Sequence, residues 1–313
     1  MAGKHERYDQ LIACCHGLPP TPTAVAHPCD ASSLRGAVDA AKAGLIAPIL
    51  VGPTVRMAEV AAEAGLDIST YTIVDAEFSE ESAAKAVAEV RAGRAQALMK
   101  GRLHTDELLG AVVRRDTGLR TARRISHCFV MDVPGHPEPL IITDAAVNIV
   151  PTLKDKIDIV QNAIDLAHDL GAAEVRVAIL SAMETVNPDV PSTIEAAALC
   201  KMADRRQITG AIVDGPFALD NAISPEAAKI KKLDSKVAGR ANVLVVPDLE
   251  AGNMLAKSLT FLAGADAAGI VLGARVPIIL TSRADSLIAR LASCAVAVLV
   301  AAARRASGAK AIA

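Results

Sequence analysis

Apolar and polar positions along the chain follow two alternating patterns, short apolar runs and longer stretches with helical spacing. A buried strand is a short apolar run, whereas a helix shows apolar positions every three or four residues. Repeated strand–helix alternation is typical of parallel sheets with crossover helices. The apolar runs predict ten strands, at residues 46–51, 72–74, 97–99, 128–133, 140–143, 175–180, 211–213, 243–246, 269–272 and 278–280.

Two helices stand out between these runs. From residue 153 to 170 the apolar side chains recur at steps of three or four, which predicts an amphipathic helix that stops at Gly171. A second helix is predicted from Ala284 to about Arg304, and its strongly apolar side suits packing against the first part of the chain. An antiparallel pair at 128–133 and 140–143, around the turn PGHPEP, interrupts the alternation near the middle.

Composition adds limits to this picture. The 313 residues are 52% hydrophobic but only 2% aromatic, so Ala, Val, Leu and Ile must fill the core, as in sheets covered by helices. The formal net charge of −2 gives no field that would attract nucleic acid or an anionic membrane. The N-terminus lacks the apolar stretch of a secretory signal, and the most apolar run, 294–303, is shorter than the about 20 residues that cross a bilayer. We therefore expect a soluble, cytoplasmic protein with no nucleic-acid or membrane partner.

The first candidate for chemistry is the strand-to-helix junction LMKGRLHTDELL, residues 98–109. Such a junction exposes backbone N–H groups and the positive end of a helix dipole, which suits an anion. Lys100 adds a positive charge, Gly101 lets the backbone approach a ligand closely, and Thr105 can cap the helix. The alternative is structural, with a solvated Lys100 and a Thr105 that only caps the helix.

A second junction, ILTSRADSLIARL at residues 279–291, has a similar arrangement. Ser282 and Asp285 have the spacing of a capping box, in which both side chains satisfy the first N–H groups of a helix. The same geometry would direct Arg283 outward with the remaining N–H groups, and a guanidinium matches phosphate oxygens. A helix cap and a phosphate site are therefore compatible at this junction.

Three further segments place polar residues beside predicted strand ends. Asp248, Asn253 and Lys257 follow the strand 243–246, where open α/β sheets bind ligands, although Asp248 can equally complement the helix dipole. Asp214 ends the strand 211–213, in a segment whose acidic residues can hold a metal or make ordinary turns. Asn148 follows the strand 140–143, and its structural alternative is a simple turn residue.

Several well-known motifs do not occur in the sequence. No GxGxxG follows a predicted strand, and GxxxxGK[ST], HExxH and GxSxG are absent. The six cysteines form no CxxC pair and no regular spacing, which argues against a disulfide framework or a zinc site. Cys128 heads an apolar strand, so we interpret it as a buried structural thiol rather than a nucleophile. A Rossmann nicotinamide site is unsupported.

Seven segments together resemble the phosphate acetyltransferase and phosphate butyryltransferase family, and look closer to its butyryl branch. Each segment is weak alone, but their order and distances form a specific signal that extends from about residue 10 to the C-terminus. The segments are MKG (99–101), GLRTARRISH (118–127), ITDAAVNI (142–149), DGPFALDNAIS (214–224), VPDLEAGN (246–253), KSL (257–259) and LTSRADS (280–286).

The resemblance implies a two-domain, three-layer α/β/α fold with mostly parallel sheets, similar to isocitrate and isopropylmalate dehydrogenases. It implies that residues 1–145 and 280–313 form one domain and residues 146–279 a second, dimerising one, with a cleft between them and a homodimeric assembly. The implied reaction is acyl-CoA + phosphate ⇌ acyl phosphate + CoA. Coenzyme A, phosphate and acyl phosphate are then substrates, and no metal or organic cofactor is permanently bound.

The same resemblance implies roles for individual residues. Ser282 and Arg283 match a serine–arginine pair associated with substrate positioning and phosphate binding. Asp285 is the first candidate for the base that deprotonates the CoA thiol, and Asp144 and Asp214 are the next. The residues expected to bind phosphate or substrate are Lys100, Gly101, Thr105, Ser126, Asn148, Asp214, Asn253 and Lys257.

Two positions depart from the family pattern. Acetyl-branch members carry an aspartate, a proposed base, where this chain has Ala289, and many relatives carry an arginine where it has Gly110. Two other functions also stay open. One is a metal- and NAD-dependent dehydrogenase of the same fold, with Asp214 and Asp248 as metal ligands; the other is a non-catalytic binder of acyl-CoA or acyl phosphate.

Overall fold

A computed structural model describes residues 6–281 and 285–306 of the chain. Within them the chain forms two compact units. The N-terminal unit comprises Glu6–Arg123 and the chain from Ala268 onward, and the central unit comprises Arg124–Ala267. Each unit is a sheet with flanking helices, which confirms the α/β fold class.

All ten predicted strands have counterparts in the structure, and β8 and β10 are longer than predicted. The strands are β1 (Thr21–Ala26), β2 (Ile46–Gly52), β3 (Thr72–Asp75), β4 (Ala97–Lys100), β5 (Ser126–Asp132), β6 (Leu140–Thr143), β7 (Arg176–Leu180), β8 (Ile212–Phe217), β9 (Val243–Val245), β10 (Asp266–Leu272) and β11 (Ile278–Ile279). The helices are α1 (Glu6–Ala13), α2 (Ala31–Lys42), α3 (Thr54–Ala64), α4 (Ser79–Arg91), α5 (Thr105–Val112), α6 (Leu153–Asp169), α7 (Pro191–Asp204), α8 (Leu219–Ile223), α9 (Pro225–Ile230), α10 (Leu249–Leu262) and α11 (Leu287–Ala306).

The sheet of the N-terminal unit has the strand order β3-β2-β1-β4-β11-β10. Its neighbouring strands are parallel except for β10 and β11, which are antiparallel. Helices α2 and α4 pack on β2, and α11 packs on α1 and α2. The predicted C-terminal helix thus completes the unit that contains the first strands, as its apolar side suggested.

Helix α11 is the one described helix that is long and apolar enough to cross a membrane by length and composition. More than half of its apolar window is buried within the protein. Its buried side is built from small residues and valines, which let it pack closely on α1 and α2. This packing is that of a core helix.

The sheet of the central unit has the strand order β5-β6-β9-β7-β8. Strands β5 and β6 form an antiparallel pair, as predicted, and β6, β9, β7 and β8 are parallel. Helix α6 covers 153–169 and is followed by Gly171 at a positive φ of 86°, which confirms the predicted helix and its stop. An apolar cluster between this sheet and its helices includes Met131, Ile142, Leu244 and Phe217.

Strand β1 was not predicted. Its sequence TPTAVA contains a proline and two alanines, so its strand propensity is weak. It nevertheless lies between β2 and β4, and every residue except Pro22 is buried. The carbonyl of Pro22 accepts the N–H of Gln96 at 2.7 Å, so the proline removes only a donor from the ladder. Position in the sheet, which is set by distant residues, outweighs local propensity here.

The division of the chain also differs from the predicted one. The cuts fall at 123/124 and 267/268, rather than at 145/146 and 279/280. The physical reason for the first shift is strand pairing, because β6 hydrogen-bonds in parallel with β9 and brings the β5–β6 pair into the central unit. The second shift follows from the pairing of β10 with β11 in the N-terminal unit.

Gly110 offers a simple stability prediction. It lies exposed in α5, and a Cβ added there would meet nothing within 4 Å. Because glycine in a helix interior is less favourable than alanine by roughly 0.5–1 kcal/mol, Gly110→Ala should raise the free energy of unfolding by about that amount. Urea denaturation measures this, and a loss of stability would show that the position has a tight environment.

Candidate functional site

The carboxyl ends of three neighbouring parallel strands, β1, β4 and β11, lie at the same edge of the N-terminal sheet. Ala26 at the end of β1 is level with Lys100 at the end of β4. On the other side of β4, Ile279 of β11 is level with Met99. Strand spacing of about 4.8 Å places the three strand ends side by side. The two junctions singled out in the sequence therefore start from adjacent strands, although they are distant in the chain, and this edge is where open α/β sheets bind ligands.

Gly101 continues β4 into a loop that is pressed against the end of β1. Its N–H donates to the carbonyl of Ala26 at 2.8 Å, and the N–H of Arg102 donates to the carbonyl of His27 at 2.8 Å. A Cβ on residue 101 would lie 2.4 Å from the Ala26 oxygen and 2.6 Å from the His27 oxygen. Only glycine fits this close approach, which explains why residue 101 is a glycine. Lys100 is half-buried beside it.

Helix α5 begins at Thr105, and its cap is one residue earlier than the sequence suggested. His104 occupies the cap position, and the Glu107 carboxylate accepts the His104 backbone N–H. Glu107 also accepts the hydroxyl of Ser79 from α4, at 2.7 Å. Thr105 is thus the first helical residue and not the cap. The cap is His104, whose backbone N–H is satisfied by the Glu107 carboxylate. The helix N-terminus still follows directly from the Lys100–Gly101 junction.

The junction after β11 is described only in part. Leu280 and Thr281 follow the end of the strand at Ile279, whereas Ser282 and Arg283 lie outside the described residues. Helix α11 begins at Leu287, later than predicted, and the hydroxyl of Ser286 accepts the N–H of Ala289 at 3.1 Å. Asp285 precedes the helix, and the capping box predicted for it depends on Ser282, which lies outside the described residues. The Arg290 side chain reaches the carbonyl of Ser32 at 3.4 Å.

In the central unit, Asp144 and Asn148 form a buried polar network at the carboxyl end of β6. The Asp144 carboxylate accepts the backbone N–H groups of Ala146, Val147 and Asn148 at 3.0–3.2 Å. The Asn148 amide donates to Asp144 at 2.5 Å and to the Ile125 carbonyl at 2.9 Å. Asp144 is 2% and Asn148 4% exposed. Both side chains hold the chain after β6 in place.

Arg124 and Ser126 belong to the same edge of the central unit. The Arg124 guanidinium donates to the Asn148 carbonyl oxygen at 2.8 Å and pairs with Asp155 at 3.2 Å. Ser126 is fully buried at the start of β5, and its hydroxyl accepts the Asn162 amide at 2.8 Å. The hydrogen bonds that Ser126 and Asn148 make are therefore structural ones within the unit.

This network predicts a loss of stability in Asn148→Ala. The change removes three side-chain hydrogen bonds of Asn148, those to Asp144, to the Ile125 carbonyl and from Arg124. The buried Asp144 carboxylate then loses one of its partners. The free energy of unfolding should fall by about 1–3 kcal/mol, measured by urea denaturation. Asn148→Asp keeps the shape but adds a carboxylate beside Asp144, and it should be less stable still. Unchanged unfolding in both variants would contradict a structural role.

The other predicted residues of the central unit are spread over several elements. Asp214 in β8 accepts the Ser235 hydroxyl at 2.5 Å and its neighbour's N–H at 2.8 Å. Asp248 caps α10 by accepting the Ala251 N–H at 2.8 Å. On α10, Asn253 donates to the Ala145 carbonyl at 3.3 Å and Lys257 is exposed. Within the described ranges, no group of three or more His, Cys, Asp or Glu is placed to hold a metal ion.

Two residues of the central unit carry buried titratable groups. Burial raises the pKa of the Cys128 thiol to about 12, which supports its interpretation as a structural thiol. Burial also lowers the pKa of His127 to about 4, against the opposing charge of Asp144. His127 is therefore a neutral core side chain, and its ring packs edge-on against Phe129.

Sequence reasoning missed His27, which lies at the carboxyl end of β1, beside the candidate site of the N-terminal unit. It follows the unpredicted strand β1 and has a positive φ of 55°. Among the residues that the structure describes, only three non-glycine residues have a positive φ, and His27 alone of these follows a strand at this edge. Without β1 in the predicted sheet, no signal in the sequence placed His27 beside Lys100.

Comparisons with known proteins identify one family. The family model described as "Phosphate acetyl/butaryl transferase" matches residues 77–298. A phosphate acetyltransferase of Rhizobium meliloti is 64% identical over 301 residues, which are 96% of this chain and 95% of the relative. A phosphate butyryltransferase of Clostridium beijerinckii is 41% identical over 297 residues, or 95% of this chain and 98% of the relative.

A solved structure agrees with these relatives. The crystal structure of a branched-chain phosphotransacylase from Enterococcus faecalis superposes with a TM-score of 0.79 at 30% sequence identity. The match covers 90% of this chain and 99% of that chain. The similarity thus extends over both units of the protein.

Proposed function

We infer the acyl group, the catalytic site and the assembly of a chain that belongs to the phosphate acetyltransferase and phosphate butyryltransferase family. It is an acyltransferase that exchanges an acyl group between coenzyme A and phosphate. The relatives are transferases by name, so the dehydrogenase and the non-catalytic binder are not favoured. The prediction from the seven sequence segments that the chain transfers an acyl group between coenzyme A and phosphate is thus confirmed.

For the acyl group we propose acetyl. The sequence segments pointed towards the butyryl branch, but identity is 64% with a phosphate acetyltransferase and 41% with a phosphate butyryltransferase. One methylene in an apolar pocket discriminates substrates by only about 1–3 kcal/mol, so neighbouring acyl chains should also react. The test is a comparison of kcat/KM for acetyl-, propionyl- and butyryl-CoA, and a preference for butyryl-CoA would contradict the proposal.

The observation that carries the proposed site is the pairing of β4 with β11. It brings the Lys100–Gly101 junction next to the junction that leads to Ser282, Arg283 and Asp285. We propose that Lys100, Arg283 and backbone N–H groups hold one phosphate group, that Ser282 positions the substrate, and that CoA attacks the acyl carbon directly in a ternary complex. Fixed positive groups there would stabilise charge on the leaving oxygen. Coenzyme A then acts as a substrate, and we propose that no metal or organic cofactor is held between turnovers.

The test of this function is phosphate-dependent release of CoA thiol from acetyl-CoA, followed with a thiol reagent. We expect thiol release to require phosphate, to produce acetyl phosphate in equal amount, and to persist in EDTA. The reverse reaction, from acetyl phosphate and CoA, should proceed on the same protein. Thiol release that is independent of phosphate would indicate a thioesterase and would contradict the assignment.

We propose a homodimer that uses the outer surface of α10. This surface is unusually apolar, since Met254 is 62%, Phe261 75% and Leu262 86% exposed, and Ile149 and Val150 are exposed in the same unit. Exposed apolar side chains in such a group are typical of protein interfaces. Light scattering should give twice the chain mass, and a double variant, Phe261→Ser with Leu262→Ser, should give the mass of one chain. A monomeric wild-type protein would refute the dimer.

We also propose that the protein works in the cytoplasm. Support comes from the free thiols of Cys15, Cys29, Cys128 and Cys294, all of them buried, which suit a reducing compartment. Cell fractionation followed by the thiol-release assay tests this, and recovery of the activity with the membrane fraction would contradict it.

A further inference from the structure

His27 is held in place by β2 on one side and by the loop that follows β4 on the other. Its N–H donates to the Val51 carbonyl of β2 at 2.7 Å, and its carbonyl accepts the Arg102 N–H at 2.8 Å. Its φ of 55° lies in the left-handed region, which non-glycine residues rarely adopt. Strained residues that the surroundings fix in this way cluster at functional sites. The position of His27 at the carboxyl end of β1 is therefore a first indication of a role.

The hydrogen bonds of Ser82 favour one tautomer of the His27 ring. The Ser82 hydroxyl is fully buried in α4 and donates to the Phe78 carbonyl at 2.8 Å. With its one proton on that bond, the Ser82 oxygen accepts the N–H of His27 Nδ1, 3.0 Å away, in the tautomer that satisfies both contacts. The neutral ring thus carries its proton on Nδ1 and keeps an unprotonated Nε2. Among the described residues, none hydrogen-bonds to Nε2.

Burial and the charges around the His27 ring together keep it neutral at physiological pH. Burial is the largest influence and lowers the pKa of His27 below its usual 6.5. The carboxylates of Glu107, Asp30 and Glu80 oppose this shift, and the Arg102 guanidinium adds to it. His27 is only half-buried, so the ring remains open to a ligand at the sheet edge. A neutral imidazole with a free Nε2 is the form that accepts a proton.

The reaction of this family needs such a group. A thiol with a pKa near 8.5 is only a few per cent thiolate at neutral pH, so a base must take its proton during attack. Where acetyl-branch members carry an aspartate, this chain has Ala289, which is buried. Asp285 precedes α11 and Asp144 is enclosed in backbone hydrogen bonds. The family's aspartate is thus absent at residue 289, and of the bases predicted from the sequence Asp144 is already used in structural hydrogen bonds.

We propose that His27 is the general base that deprotonates the CoA thiol, an inference that rests on the proposed phosphate acyltransferase function. His27 is one strand from Lys100 and two strands from β11, about 5 and 10 Å across the sheet edge, within reach of one small substrate. Nε2 takes the thiol proton as the sulfur electron pair forms the C–S bond. The C–O bond breaks with its electron pair on the phosphate, and the imidazolium returns the proton to phosphate. The overall change is acyl phosphate + CoA–SH → acyl–S–CoA + hydrogen phosphate.

His27→Asn is the matched variant for this proposal. Asparagine tolerates a positive φ, and its amide can still donate to the Ser82 oxygen, but it has no basic nitrogen. The kcat should fall roughly 100-fold or more, with little change in KM or melting temperature. In the wild type, activity should decline as the pH falls through the His27 pKa, and this acid limb should disappear in the variant. Added imidazole should restore activity to His27→Gly.

Control variants distinguish the proposal that His27 is the base from the proposed acyltransferase function. Asp285→Asn tests the rival base and should keep the acid limb. Ser82→Ala should keep the limb with a moderate loss of kcat, because the ring is less well oriented. Wild-type protein without phosphate-dependent acyl transfer would overturn both proposals. An active wild type with an equally active His27→Asn, or an acid limb lost only in Asp285→Asn, would overturn the His27 assignment alone.

Discussion

Lys100→Met should lower kcat/KM for phosphate and for acetyl phosphate by roughly 100-fold, with a smaller effect on KM for CoA. Lys100 ends β4 between the ends of β1 and β11, at the start of the loop that leads to α5. A positive charge at that edge acts on the phosphate in both directions of the reaction. Methionine keeps the length and apolar stem of the side chain but removes the charge, so the loss should appear in catalysis rather than in stability.

The control for this variant is Lys85→Met. Lys85 is partly exposed on α4 of the same unit and pairs with Glu81 at 2.9 Å, so its substitution removes the same charge from outside the site. Steady-state kinetics with phosphate varied at saturating acetyl-CoA measures both variants. Equal, small effects in the two would show that Lys100 contributes only to the general charge of the unit.

Gly101→Ala should reduce both stability and activity. The added Cβ would lie 2.4 Å from the Ala26 oxygen and 2.6 Å from the His27 oxygen, and neither backbone atom can move without breaking the bonds between β1 and the loop. Overpacking of this kind costs about 1–3 kcal/mol. Because the loop carries Lys100 on one side and α5 on the other, a shift of about 1 Å should lower kcat by roughly 100-fold.

Gly110→Ala is the matched comparison, since it adds the same methyl group to α5 where a Cβ meets nothing within 4 Å. Its activity should equal that of the wild type while its stability rises slightly. If Gly101→Ala is as stable and active as Gly110→Ala, neither stability nor activity depends on the close approach of the loop to β1.

Local patterns in the sequence were sufficient for most elements but not for their arrangement. Apolar runs predicted ten strands and helical spacing predicted α6, because both signals depend on neighbouring residues. Strand β1 and the boundaries of the two units depend instead on pairing with residues far away in the chain, such as β6 with β9. Pairing of that kind leaves no local pattern, so neither was predictable.

The same contrast between local patterns and distant contacts applies to the residues of the candidate site. Lys100 and Gly101 were predicted from a strand-to-helix junction, and the pairing of β4 with β11 shows that this junction and the one near residue 282 start from adjacent strands. The network of Asn148 with Asp144 and Arg124 was not visible, since its members come from different segments. His27 was missed for a related reason, because its significance depends on β1, on Ser82 and on a positive φ.

The central claim is that the carboxyl ends of β1, β4 and β11 form the phosphate site of an acyltransferase. A crystal structure of the protein with phosphate and coenzyme A bound tests it most directly. We expect a phosphate oxygen within about 3 Å of Lys100 Nζ and the CoA sulfur on the same side as His27 Nε2. Phosphate and CoA bound together at any site remote from these three strand ends would contradict the claim.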